Sequence, residues 1–294
     1  MIRTNVERLV RISVMGEVCS PIARQSFTVT AHGRPVMLPG VGGITYNVRV
    51  GDLAAGFESD HVEPAVSVEN KEKDDRSPGG ANVALNLLSC VGNQAVVASG
   101  DAKGEKGIVT GKHGGIEHVL VDFSPQVMER LIIGDKIMIK AFGVGLKLTD
   151  FPEIVVMNLD PGLMGAMKME ARGDKLEIPV THTVPAVVMG SGLGASQTYT
   201  GDYDIQFFDD DTVRQYGLGD LRLGDIVAIE DADHTYGRIY KKGAMSIGIV
   251  VHSSCVIAGH GPGVTTLFTS TAGKILPRID AKANIADILN LRGS

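Results

Sequence analysis

Apolar residues in this chain occur in short runs that alternate with polar ones or are rich in β-branched side chains. The runs lie at 10–15, 26–30, 44–50, 65–68, 95–98, 118–121, 136–140, 154–156, 178–183, 204–208, 226–229 and 247–252. Gly, Pro, Asn and Asp separate them. Alternation of period two with frequent turn residues predicts short strands. The expected fold is therefore mainly β (α+β): short-stranded barrel-like or sandwich units with a few short helices, and no doubly wound sheet. One phrase recurs, Val-Arg-Val-Gly-Asp at 48–52, Leu-Ile-Ile-Gly-Asp at 131–135 and Leu-Arg-Leu-Gly-Asp at 221–225. It reads as a structural turn: Gly adopts a left-handed conformation and Asp bonds backbone amides ahead of the strand.

Helix signals are few. Residues 80–88 follow a Pro78-Gly79-Gly80 turn, Ser124-Pro125 caps a segment to 130, and 211–217 ends on Gly217. In 281–291, Ile285, Ile288 and Leu289 share one face, which predicts a terminal helix. The charged stretch 69–80 reads as an exposed excursion. The pattern divides the chain into an N-terminal strand-rich unit, 1–125, and a C-terminal barrel-like unit with the terminal helix, 126–294.

Composition narrows the function classes. The 294 residues carry 28 Lys plus Arg against 34 Asp plus Glu, a net charge of −6 with aromatics at 5%. That balance argues against nucleic-acid binding, which needs a basic footprint. The apolar share of 44% is too high for a disordered chain. The apolar runs are far shorter than the ~20 residues of a membrane-spanning helix, and no secretory signal is evident, so no membrane partner is expected. Three cysteines without C-x-x-C spacing suit a reduced, cytoplasmic setting. The 37 glycines exceed the usual share, as tight turns and close backbone approaches require.

Candidate chemistry concentrates in the C-terminal third. His252 leads into Ser253-Ser254-Cys255, and His260 sits between Gly259 and Gly261, followed by Pro262-Gly263. Either histidine could act as base or metal ligand, and Ser253, Ser254 or Cys255 as nucleophile beside it. Asp231 and Asp233 would share one face of an extended strand. With His234 they form a candidate metal set, and Asp233 is also a catalytic candidate. Gly259, Gly261, Gly263, Arg238 and Asn82 are candidate ligand contacts. A second group is Asp60-His61-Val62-Glu63, in which His61 and Glu63 would supply further metal ligands. A third, 100–107 with Gly111-Lys112-His113-Gly114-Gly115, lacks a Walker pattern and reads as two flexible turns with solvated lysines. The adjacent turn 77–82 could aim amides at an anion.

Thr45 onward with Asp60-His61-Val62-Glu63-Pro64, Leu223-Gly224-Asp225, the 231–238 stretch and Gly259-His260-Gly261-Pro262-Gly263 together resemble the bacterial and archaeal domain-of-unknown-function family 4438. The resemblance spans most of the chain. It implies a two-part, strand-rich protein and assigns no substrate and no catalytic residue.

The leading expectation is a small-molecule hydrolase or lyase acting on an amide-like or carboxylated substrate. Its composite His/Asp site would be assisted by a divalent metal. The alternative is a non-enzymatic ligand-binding or homo-oligomeric assembly protein. Nucleotide handling rests on the lysine–glycine loops alone. One composite site requires His61 and His260 to meet in space.

Overall fold

The structure, a computed structural model, describes residues 2–23, 25–73, 80–191 and 197–293. The acidic and basic residues 74–76 of the expected excursion lie outside the described residues. So do residues 77–79 of the candidate anion turn.

Six strands close a barrel. Ile12–Val18 pairs with Lys136–Ala141, and the path continues through Gln94–Val97, Lys106–His113, His118–Asp122 and Ala65–Glu69. Pairing of Glu17 with Glu69 and Val18 with Val68 then closes the ring. All these pairings are antiparallel. Closure gives each of the six strands a neighbour on both sides, and Ile44–Thr45 adds a short seventh strand beside Ala65–Glu69. Val18, Val66, Val68, Val109, Val121, Ile137 and Ile139 belong to the core beneath it. The strand 136–141, assigned by the sequence to the C-terminal unit, thus completes the N-terminal barrel. Ser124 caps the short helix Pro125–Met128 that leads into it.

The C-terminal part is organised by a sheet running Val155–Val156, Gly263–Ser270, Ile239–His252, Ile226–Asp233 and His182–Val184, with Tyr203–Asp204 beside the second of these. Lys175–Val180 lies parallel to Ile275–Ile279. The expected terminal helix is a single turn, Ile285–Ile288, capped by Asn284. Among the described residues no helix is long and apolar enough to cross a membrane.

The repeated Gly-Asp phrase has one geometry at all three places. Gly51, Gly134 and Gly224 have φ of 95°, 91° and 84°. Asp52, Asp135 and Asp225 each accept a bond from the amide three residues earlier, at 2.8, 3.0 and 2.8 Å. The carboxylate closes the turn on an amide ahead of the strand, as the sequence predicts.

The segment expected to be flexible turns is the barrel strand Lys106–His113. Its Gly111 packs so tightly on Val251 that a Cβ there would lie 2.2 Å from a Val251 methyl. Lys112 exchanges backbone bonds with the Thr265 hydroxyl, at 3.3 and 3.0 Å. Its ammonium is buried against the Asn158 side chain and the Tyr199 carbonyl. Lys112 is therefore a buried tie between barrel and C-terminal sheet, and burial lowers its pKa to about 8. This seam carries the barrel's His113 to the end of the C-terminal sheet.

Candidate metal centre

Four imidazoles converge at that seam. His113 stacks on His252 with ring centroids 4.2 Å apart, and His61 lies 5.2 Å from His252 and 5.0 Å from His260. His61 Nε2 approaches His260 Nδ1 to 3.2 Å. The N-terminal and C-terminal histidines, 199 residues apart, thus share one site.

Local structure explains the meeting. The 59–63 segment is zipped to 253–256: Val62 N–H donates to the Ser253 hydroxyl at 2.9 Å, and Ser253 N–H to the Val62 carbonyl at 3.0 Å. His61 adopts φ of 56°, a left-handed conformation costly for a side chain with a Cβ and common at functional sites. On the long strand a bulge between Val250 and His252 re-aims the imidazole. His252 then faces Gly263, where a Cβ would lie 2.0 Å from Asp202 Oδ2 and 2.2 Å from His252 Nε2. Only glycine leaves room for that pair.

Three of the imidazoles are held alike. His113 Nδ1 bonds Glu63 Oε1 at 2.6 Å, His252 Nδ1 donates to the Ser253 carbonyl at 2.9 Å, and His61 Nδ1 lies 3.2 Å from Asp60 Oδ1. Each partner can only accept, so each Nδ1 carries the proton and Nε2 is left to face the centre. Outer acceptors of this kind orient histidine ligands in metal sites. Asp202 and Asp204 supply carboxylates: His252 Nε2 lies 2.9 Å from Asp202 Oδ2 and 3.6 Å from Asp204 Oδ1, and Asp204 Oδ2 meets His260 Nδ1 at 2.9 Å. The ligating atoms of His113, Asp202 and His252 lie within 4.8 Å of one another, as do those of His61, Cys255 and His260.

The electrostatics suit a cation. Burial opposes the charge on His252, but Asp202 and Asp204 overcome it and hold its pKa well above the ordinary imidazole value. The Asp204 bond raises His260, and burial lowers His61. Burial works against ionisation of Asp204, yet His252 and His260 keep it strongly acidic. Asp60 likewise is lowered to about 2, because bonds from His61 and Cys255 outweigh its burial. The inner triad is buried, while the His61 and His260 side chains are 14% and 36% exposed, so the site opens to solvent past His260.

Several sequence candidates have other roles. Glu63 is fully buried and saturated: besides His113 it accepts from His118 Nδ1 at 2.9 Å, Gly42 N–H at 2.7 Å and the Ser67 hydroxyl. It stands behind the histidines and is not itself placed to ligate. Asp231 and Asp233 do not share a face. A bulge between Glu230 and Ala232, with Asp231 at φ of 51°, breaks the alternation. Asp231 binds the Gly243 amide and Asp233 binds Thr235, and neither bonds a histidine of the cluster. His234 is buried against Tyr203 and bonds Thr266, and burial lowers its pKa to about 3. Asn82 is structural, bridging the Asn70 amide and the Glu117 carbonyl. Arg238 lies in the loop between the strands Ile226–Asp233 and Ile239–His252, apart from the four imidazoles in every hydrogen bond and ion pair of the described residues. Cys255 donates to Asp60 Oδ1 at 2.9 Å, and burial followed by that carboxylate raises its pKa, the opposite of an activated thiolate. The Ser253 hydroxyl is occupied by Val62 N–H. Gly261 serves backbone approach, since a Cβ would lie 1.7 Å from the Ile205 carbonyl, whereas Gly259, at φ of 82°, has open space around it.

Sequence reasoning missed His113, Asp202 and Asp204. His113 was masked by its glycine neighbours, and Asp202-Tyr203-Asp204 had the same i, i+2 spacing that drew attention to Asp231 and Asp233.

Comparison with known proteins agrees with the architecture. The family model described as "Domain of unknown function (DUF4438), N-terminal" matches residues 27–165, and its C-terminal counterpart matches 166–289. The chain is similar to the protein in a crystal structure of TM1086: TM-score 0.91, 50% identity, covering 97% of this chain and 98% of that one. Among curated proteins none matches.

Proposed function

We propose that this chain, which belongs to the domain-of-unknown-function family DUF4438, is a metal-dependent hydrolase of small amide-like or carboxylated molecules. The observation that carries the reading is the pair of imidazoles, His113 and His252, whose Nδ1 atoms are fixed by Glu63 and the Ser253 carbonyl and whose ligating atoms lie within 4.8 Å of each other and of Asp202's, with Asp204 beside them. His113, His252 and Asp202 would hold the ion, a two-histidine, one-carboxylate donor set suited to Zn2+ or another first-row divalent metal. Such an ion polarises a carbonyl and makes water a nucleophile near neutral pH.

The chain's own groups would do the rest. His260, at the open side with Nδ1 on Asp204, is placed to move a proton between substrate and solvent. His61, held by Asp60, lines the approach. The buried inner triad excludes bulk water from the reacting groups.

The test is metal content, then turnover. Chelator-stripped protein reloaded with Zn2+, Mn2+ or Fe2+ should regain about one ion at the cluster, and His113→Ala and His252→Ala should lose it. The loaded protein should hydrolyse members of a panel of small amides and lactams, and stripped protein should not. A folded wild type that takes up no ion would refute the metal reading. A loaded protein inert across the panel would refute the hydrolase reading.

Self-association is supported by a separate feature: the hairpin of the strands Ile226–Asp233 and Ile239–His252 exposes Tyr236 in its tip at 89% and Tyr240 at the start of its second strand at 69%. Sedimentation of Tyr236→Ser/Tyr240→Ser protein tests it.

A further inference from the structure

Behind Glu63 lies a second constellation that the proposed hydrolysis does not use. The ligating atoms of Cys19, Glu69 and His118 lie within 4.8 Å of one another. Three neighbouring barrel strands bring them together. Cys19 directly follows Ile12–Val18, Glu69 ends Ala65–Glu69, His118 opens His118–Asp122, and Val68 pairs with both Val18 and Val119. Cys19 and His118 are fully buried. His118 Nδ1 is bound to Glu63, yet its Nε2, also buried, meets no nitrogen or oxygen partner among the described residues and has the Cys19 thiol nearby. An orphaned buried nitrogen is uncommon and marks a group that awaits a partner. Here it is aimed among a thiol and a carboxylate. Among the described residues Glu69 pairs with Lys71, at 3.2 Å, a contact a cation can replace.

We propose that Cys19, Glu69 and His118 form a second metal site, for a thiophilic divalent ion such as Zn2+. Thiolate sulfur, imidazole nitrogen and carboxylate oxygen are all regular zinc donors, and three protein ligands leave a fourth position for water. On binding, the Cys19 thiol gives its proton to solvent as the metal–sulfur bond forms, and any proton on His118 Nε2 leaves likewise. The ion then confines the His118 proton to Nδ1, which donates to Glu63. Glu63 in turn holds His113. The second ion would thereby stiffen the outer support of the histidine cluster, and the two sites communicate through one carboxylate.

Co2+ is the probe, because a thiolate–Co2+ bond absorbs strongly in the near ultraviolet and imidazole or carboxylate bonds do not. Cys90→Ser/Cys255→Ser protein keeps Cys19 as its one thiol. Saturated with Co2+, it should show the thiolate band. Adding Cys19→Ser should abolish the band while the visible absorption of the histidine site remains. His113→Ala should do the reverse, so failure of the first site and failure of this one are read separately. His118→Gln should abolish the band and weaken Zn2+ binding at the histidine cluster about 10-fold. Absence of a thiolate band in Co2+-saturated wild type overturns the proposal outright. So does a band that survives Cys19→Ser.

Discussion

Glu63→Gln probes the carboxylate on which both sites depend. Glu63 is fully buried and accepts bonds from Gly42 N–H at 2.7 Å, His113 Nδ1 at 2.6 Å, His118 Nδ1 at 2.9 Å and the Ser67 hydroxyl. An amide of the same shape has one accepting oxygen where the carboxylate has two. Its oxygen is best kept at the Oε2 position, where the Gly42 N–H can only donate and the Ser67 hydroxyl donates as well. The new NH2 then faces His113 Nδ1 and forces that proton to Nε2, the nitrogen needed by the metal. Two charge-assisted bonds at ~1.5–3 kcal/mol each are weakened or lost. Removing one partner of a buried charged pair costs about 3–5 kcal/mol. At ~2–4 °C per kcal/mol for a chain of this order of size, metal-free Glu63→Gln should melt about 6–20 °C below wild type. Zn2+ affinity at the histidine cluster should fall ~10–100-fold. Thermal scanning of stripped protein and a Zn2+ competition titration measure both. A variant within ~2 °C of wild type whose affinity is within ~3-fold would refute the reasoning.

Gly263→Ala should destabilise the protein by about 1–3 kcal/mol and abolish metal uptake at the histidine cluster, because its Cβ meets Asp202 Oδ2 and His252 Nε2 at 2.0 and 2.2 Å. Gly259→Ala, in open space at φ of 82°, should cost only ~1–2 kcal/mol of backbone strain and leave metal content intact. Metal analysis of the two variants side by side checks the contrast. The stability of stripped protein should depend on alkaline pH through His118: burial opposes its charge, but Cys19 and Glu63 raise its pKa to about 10. A raised imidazole pKa stabilises fully below the unfolded value of ~6.5 and loses that contribution as pH climbs to the folded value. The melting temperature should therefore fall between those limits in wild type, and the fall should be smaller in His118→Gln. Cys255→Ser should keep hydrolytic turnover within ~3-fold of wild type, since a thiol whose pKa is raised is no nucleophile, and kinetics against the best panel substrate would show it.

The strand-rich fold was legible because alternation and turn chemistry are local. The Gly-Asp turns at 51–52, 134–135 and 224–225 formed as their residues dictate. Ser124 and Asn284 each cap a short helix. The strand Lys106–His113 was not legible. Its two glycines read as turn punctuation, but Gly107 and Gly111 are where Phe123 and Val251 approach too closely for a Cβ. Missing that strand meant missing His113. His61, His252 and His260 stood out by their neighbours, and the structure brings them together through the zip of 59–63 onto 253–256. Asp231 and Asp233 misled for a definite reason, since a bulge cancels the i, i+2 rule that selected them. Sequence spacing shows what a regular strand would do, and the candidate site is built largely where strands are irregular.

Anomalous diffraction from crystals of metal-loaded protein, recorded at the absorption edge of the ion, tests the central claim most directly. A peak at ~2.0–2.2 Å from nitrogens of His113 and His252 and from an Asp202 oxygen is the expected result. A loaded crystal with no peak among His61, His113, His252 and His260 would contradict it.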